Sequence, residues 1–198
     1  MKFKTQQEEF WANEFGDEYN VRNADKEKHM RSRTHFFEKF PPVASVYEPG
    51  ASTGMNLEAM HALNGAAEFY ATEINENAFQ ELTKKPYVQA QMGSVLHNPP
   101  YKAQLVLTYG LLIAINPDYL KDAYYHLYRS SEQYILICEY YNPVPAEIPY
   151  HGKKNMLWKR DFAGDMMDEY DMKLLDYGFV YHRDPYPMGD ITWFLLEK

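Results

Sequence analysis

The sequence has 198 residues, 45% of them hydrophobic and 24% charged, with 10 glycines and 12 prolines; this is a globular composition with core enough for one domain, and it excludes disorder, collagen and coiled coil. Lysine and arginine total 20 against 28 aspartates and glutamates, and the resulting charge of −8 repels a phosphate backbone, so nucleic acid is a disfavoured partner. The longest apolar run, Leu105 to Ile115, is broken by Thr108, Tyr109 and Gly110 and falls short of the ~18–20 apolar residues of a membrane span.

The N-terminal stretch turns acidic where an export signal needs an apolar segment, which makes the cytoplasm the expected compartment. Cys138 is the single cysteine and lies in an apolar run, so it reads as a small core residue. Aromatic residues make up 16% of the chain, many of them between Tyr124 and Trp158, a density that suits a ligand pocket as well as a core. No repeat or long linker divides the chain, and residues 1–198 read as one domain, with residues 1–40 a helical preface to a core over 41–198.

In chain order, Gln6 to Phe15 predicts a helix that groups Phe10, Trp11 and Phe15, and Ala24 to Phe40 predicts a second helix ended by Pro41 and Pro42. Alternation follows. Strands are expected at Val43–Glu48, Phe69–Glu73, Tyr87–Met92, Gln104–Thr108 and Gln133–Glu139. Helices are expected at Gly54–Leu63, Asn77–Leu82 and, behind Asn116-Pro117, Asp118–Arg129. Strands separated by helices predict a parallel sheet covered on both faces, with ligands at the strands' carboxyl ends. A Pro- and Tyr-rich loop is expected over Tyr140–Asn155 and a helix over Asp161–Tyr170. Strands at Leu174–His182 and Ile191–Glu197, joined by a short loop, then close the sheet with an antiparallel hairpin. The fold class is therefore α/β: a three-layer, doubly wound, Rossmann-like arrangement around a mostly parallel seven-stranded sheet.

The strongest local signal is Val46-Tyr47-Glu48-Pro49-Gly50-Ala51-Ser52-Thr53-Gly54, a strand entering a glycine turn that opens a helix. Glycines here permit a sharp turn and close packing, and the intervening N–H groups are expected to face a ligand. Glu48 precedes the glycines, which disfavours a pyrophosphate and suits an ammonium-bearing ligand. Glu73 ends the second strand, where a carboxylate takes both hydroxyls of a ribose, and Ser94 follows the third strand, within reach of an adenine amino group.

Glu48 to Gly54, Glu73, Ser94 and the closing hairpin resemble the class I S-adenosylmethionine-dependent methyltransferases. The whole chain is similar to the methylases associated with pseudaminic acid biosynthesis. That resemblance is carried by Glu9-Phe10-Trp11, residues 15–19, Ile115-Asn116-Pro117, Tyr134 to Pro143, Lys159 to Gly164 and Asp176 to Asp184. It implies S-adenosylmethionine as cofactor and S-adenosylhomocysteine as product. The cofactor would be held by Glu48, Gly50, Ala51, Ser52, Thr53, Gly54, Asn56, Glu73, Ile74, Ser94, Val95 and Tyr109. It also implies a small-molecule acceptor such as a sugar, sugar acid or sugar nucleotide, and a monomer or homodimer. Two departures stand out: Ser52 replaces the middle glycine of the usual turn, and Ala114 stands where related sequences often carry His.

On the acceptor side, an oxygen or nitrogen nucleophile needs positioning and a base, for which His182, Glu139 and Tyr141 are the candidates in that order. Trp11, Tyr19, Arg22, Tyr140, Asn142, His151, Lys159, Arg160 and Arg183 are candidate acceptor contacts, with the three last suited to an acidic group and Trp11, Tyr19, Arg22 and Asn23 to a lid. Asn98-Pro99-Pro100-Tyr101 reads like the motif with which amino-methyltransferases hold a planar nitrogen, but it precedes the fourth strand instead of following it. Through it, methylation of nucleic acid or protein is the alternative function; a non-catalytic S-adenosylmethionine-binding protein is another. The seven histidines are scattered without ligand spacing, so no metal is expected.

Overall fold

The computed structural model describes residues 2–13, 15–18 and 26–198. A seven-stranded sheet forms its centre, in the order β3 (Val88–Met92), β2 (Glu68–Glu73), β1 (Ser45–Pro49), β4 (Ala103–Tyr109), β5 (Ser131–Glu139), β9 (Ile191–Glu197) and β8 (Lys173–Val180). β3 to β5 pair in parallel, whereas β9 runs antiparallel to both β5 and β8. The class predicted from strand and helix alternation is the class observed.

β1 is buried at every position, as a central strand covered on both faces must be. One apolar layer lies between the sheet and α5 (Leu120–Ser130) with α6 (Phe162–Tyr170), through Leu127, Ile135, Phe162 and Met166. The opposite layer packs Phe36 and Phe37 of α2 (Lys26–Phe37) and Leu57 of α3 (Met55–Leu63) against Val46, Leu107 and Leu136. Cys138 is fully buried in that second layer, and burial pushes its thiol pKa up, away from reactivity. Two further helices are α1 (Gln6–Ala12) and α4 (Glu76–Leu82). Among the described residues no helix is long and apolar enough to cross a membrane.

Three local expectations need correction. The segment Tyr140–Asn155, read as a loop, carries an antiparallel ribbon of β6 (Ala146–Tyr150) and β7 (Lys153–Lys159). Pro149 is tolerated because it stands at the register shift between Ile148 and Tyr150, where it has no partner in the ladder. His151 and Gly152 make a two-residue turn with φ of 47° and 75°, the mirror-image turn that matches the strand twist. Next, α5 starts at Leu120, not Asp118, because Asn116 caps a 3-10 turn, Pro117–Tyr119, through the Asp118 N–H. Finally, α1 stops at Ala12, and residues 24–25 of the second predicted helix lie outside the described residues.

Candidate functional site

In a doubly wound sheet a crevice opens where neighbouring strands send their connections to opposite faces. Here that point is the boundary of β1 and β4, and a cavity of about 400 Å³ opens at their carboxyl ends. Gly50 (φ 67°) and Gly54 (φ 77°) turn the chain from β1 into α3, and a Cβ on Gly54 would stand 2.6 Å from Leu82 Cδ1, so only glycine lets the two helices approach. Ser52 sits between them at φ 51°, a left-handed conformation that an ordinary side chain adopts at some cost. Three of the turn's N–H groups are engaged within the protein: Gly50 and Ala51 donate to Thr72 O, and Ser52 donates to Glu73 Oε2 at 2.6 Å. For Ala51 and Ser52 this corrects the expectation that the intervening N–H groups face a ligand.

Two carboxylates dominate the wall. Glu48, 2% exposed, accepts a hydrogen bond from Asn56 Nδ2 at 2.6 Å, and Asn56 Oδ1 in turn accepts from Arg33 Nε at 2.7 Å. Its second oxygen has no hydrogen-bond partner among the described residues. Burial raises the Glu48 pKa to about 8, against the pull of Asn56 and Arg33 and with a further push from Glu73. Glu73 accepts from the N–H groups of Ser52, Ile74 and Asn75 at 2.6, 2.8 and 2.7 Å; burial pushes its pKa up and those donors oppose the rise.

Eleven residues expected on sequence grounds to hold a cofactor line this one cavity: Glu48, Gly50, Ala51, Ser52, Thr53, Asn56, Glu73, Ile74, Ser94, Val95 and Tyr109. Gly54 does not, because it lies behind the turn against α4. Of the expected acceptor contacts, Trp11, Tyr140 and Lys159 line the cavity, with Lys159 Nζ 5.3 Å from the centre of the Tyr140 ring.

The three base candidates do not reach the cavity. His182 is exposed and hydrogen-bonded through Nδ1 to Asp190 at 2.9 Å, so its ring is held at the surface by β9's approach loop. Glu139 is buried under the wall, where its carboxylate accepts from the N–H groups of Leu111, Leu112 and Ile113 at 2.9, 2.8 and 3.3 Å and so caps the 3-10 turn Leu112–Ala114. Tyr141 is exposed, with its ring 6.0 Å from Phe194.

Four acceptor candidates also lie off the wall. Arg160 pairs with Asp165 at 2.8 Å, Asn142 bonds the Val144 carbonyl, His151 occupies the ribbon turn against Phe15, and Arg183 is exposed. Tyr19, Arg22 and Asn23 lie outside the described residues. Asn98 to Tyr101 stand at the amino end of β4, opposite the cavity, where Tyr101 stacks on Tyr70 at 4.9 Å. The amino-methyltransferase reading therefore loses its geometry.

Sequence reasoning missed Glu8 and Gln7 of α1, Arg33 of α2, and Ile148, Tyr150 and Leu157 of the ribbon, all of which line the cavity. A signal existed for Glu8 and for the ribbon: Thr5-x-x-Glu8 is a capping-box spacing, and His151-Gly152 suits a two-residue hairpin turn. Among the described residues no group of His, Cys, Asp and Glu could hold a metal ion.

No family model matches the chain, and no curated sequence matches it either. Solved structures do resemble it. Magnesium protoporphyrin IX methyltransferase from Synechocystis PCC 6803 with bound S-adenosylhomocysteine superposes with a TM-score of 0.74 at 11% identity, over 99% of this chain and 100% of that one. The Burkholderia thailandensis 1,6-didemethyltoxoflavin-N1-methyltransferase, with its substrate and S-adenosylhomocysteine bound, gives 0.74 at 12% identity over 96% and 86%. A SAM-dependent methyltransferase from Leishmania major gives 0.71 at 12% identity over 96% and 81%. At such identities the likeness is one of architecture: the chain has the Rossmann-like fold of the class I S-adenosylmethionine-dependent methyltransferases.

Proposed function

We propose that the protein is a methyltransferase that binds S-adenosylmethionine in this cavity and methylates a small molecule. The observation that carries the reading is the pair of buried carboxylates, Glu48 and Glu73, beside the glycine turn at the switch point, matched to a ligand with an ammonium at one end and a ribose at the other. The residues fit such a ligand: the unpartnered Glu48 oxygen suits an ammonium, Arg33 lies beside it for a carboxylate, Glu73 suits two hydroxyls, and Ser94 and Val95 suit a purine. Bound there, S-adenosylmethionine supplies an electrophilic methyl on a sulfonium. The protein's part is positioning and the exclusion of water, which account for much of the rate of an in-line displacement. α1, acting as a lid in the single domain, carries Trp11 over the cavity, while the β6–β7 ribbon contributes Ile148, Tyr150 and Leu157.

The acceptor reading is narrower: a sugar acid or related acidic metabolite. Tyr140, Tyr150 and Trp11 offer flat faces of the kind that pack on sugar rings, and Lys159 offers a cation for a carboxylate or phosphate. With labelled S-adenosylmethionine, methyl transfer to acidic sugars is expected, transfer to their neutral counterparts is not, and Lys159→Met should raise KM for the acidic acceptor at least about tenfold with little change in kcat. Equal use of neutral and acidic sugars would remove this acceptor class.

Glu48 gives the reading a pH signature. With its pKa near 8 in the free protein it is mostly protonated at pH 7, and an ammonium ligand favours the ionised form, so binding releases a proton. Affinity for S-adenosylhomocysteine is expected to rise as pH increases from 6 to 8 and then to level off. At pH 7 the calorimetric enthalpy should vary with the ionisation enthalpy of the buffer, and Glu48→Gln should abolish that dependence. Arg33 and Glu73, the charged groups facing Glu48, act on it in opposite directions.

A further inference from the structure

Glu8 is a third buried carboxylate on the cavity wall, with no part in the reading above, and is 5% exposed. It occupies the third position of α1, where its N–H donates to Thr5 Oγ1 at 3.1 Å and its Oε2 accepts from the N–H groups of Thr5, at 3.2 Å, and Lys4. These bonds make a complete capping box and occupy one oxygen only. The other, Oε1, has no hydrogen-bond partner among the described residues. An unsatisfied buried carboxylate oxygen is costly, so Oε1 points to a partner that the described residues do not supply.

The location narrows what that is. Lys4 Nζ donates to Leu96 O at 2.6 Å, which ties the chain just before α1 to the connection after β3, where Ser94 and Val95 line the cavity. Two acceptors of that connection are engaged: Ser94 Oγ accepts from the Leu96 N–H at 3.1 Å, and the Val95 carbonyl bonds His126 Nδ1 at 2.7 Å. The remaining charged residues on the wall sit on other elements: Arg33 and Glu48 beside α3, Glu73 on β2, and Lys159 on β7. At the end where the purine belongs, Glu8 is the charged acceptor with a free lone pair.

Building on the cofactor site proposed above, we propose that Glu8 accepts a hydrogen bond from the exocyclic amine of the cofactor's purine and so selects adenine over a 6-oxo purine. A carboxylate attracts the 6-amino N–H and repels a 6-oxo group, so one residue supplies both the favourable and the unfavourable half of the selection.

The test is a titration of wild type and Glu8→Gln with S-adenosylhomocysteine and S-inosylhomocysteine. Wild type is expected to prefer the adenine ligand by about tenfold to a hundredfold, the range of one charged hydrogen bond. Glu8→Gln keeps the capping box and offers an amide N–H to a 6-oxo group, so its preference should narrow to within about threefold with the melting temperature little changed. Glu8→Asp, which draws the carboxylate back toward the helix, should also narrow it and serves if Glu8→Gln folds poorly. An unchanged preference in both variants overturns the proposal, as does a Glu8→Gln protein that keeps both affinities and loses turnover, which would assign Glu8 to the acceptor. If folded wild type binds neither ligand, the cofactor site itself is wrong and the inference falls with it.

Discussion

Replacing Glu73 with alanine is expected to weaken S-adenosylhomocysteine binding by at least about a hundredfold, because a charged acceptor contributes roughly 1.5–3 kcal/mol per hydrogen bond and a ribose offers it two hydroxyls. The loss has a second component. Glu73 accepts from Ser52, Ile74 and Asn75, so its carboxylate fixes both the glycine turn and the start of α4, whose cap is Asn75. Alanine leaves those three N–H groups without their acceptor, and the melting temperature should fall as well. Calorimetry at a temperature where the variant's circular dichroism is native separates the two effects. A change of less than about threefold in a folded Glu73→Ala protein would show that the ribose lies elsewhere.

Glu139→Ala should produce the largest loss of stability, about 3–5 kcal/mol, since it strands the N–H groups of Leu111, Leu112 and Ile113 beneath the cavity wall and opens a small void. Against the 5–15 kcal/mol of a typical domain that is a large fraction, and it should appear as a lower urea midpoint with an unchanged slope. Cofactor binding should weaken in parallel, because Leu111, Ile113 and Ala114 on that turn line the cavity. Burial raises the Glu139 pKa to about 7, so its neutral form is favoured by the fold. The corresponding stability is present in full below the unfolded value near 4.5 and is lost as pH rises through 7. Glu48, raised to about 8, extends the same decline upward. Wild-type stability should therefore fall between pH 5 and 8, and Glu139→Gln should flatten the lower part of that curve. A Glu139→Ala protein within 1 kcal/mol of wild type would contradict the capping role.

The part of the cavity wall built from the glycine turn and the strand ends was legible because it is local. Glu48 and Gly50 to Gly54 are consecutive in sequence, Glu73 and Ser94 each follow a strand, and parallel pairing brings strand ends together whatever the side chains do. The rest of the cavity wall was much less legible, for physical reasons. Pro143, Pro145 and Pro149 mask the β6–β7 ribbon, whose strands are stabilised by each other and by contact with the Leu112–Ala114 turn and not by an alternating pattern. Glu139 reads as a base at a strand end, yet three neighbouring N–H groups claim it. His182 reads the same way, and Asp190 holds it at the surface. Arg33 and Glu8 come from helices far away in sequence, and tertiary packing alone brings them to the wall.

The most direct test of the central claim is a calorimetric titration of the wild-type protein with S-adenosylmethionine and S-adenosylhomocysteine at pH 7. The account predicts one site per chain for each ligand with micromolar affinity, proton release on binding, and loss of that site in Glu73→Ala. A folded wild-type protein that binds neither would contradict it, and would leave a methyltransferase fold whose cavity serves another ligand.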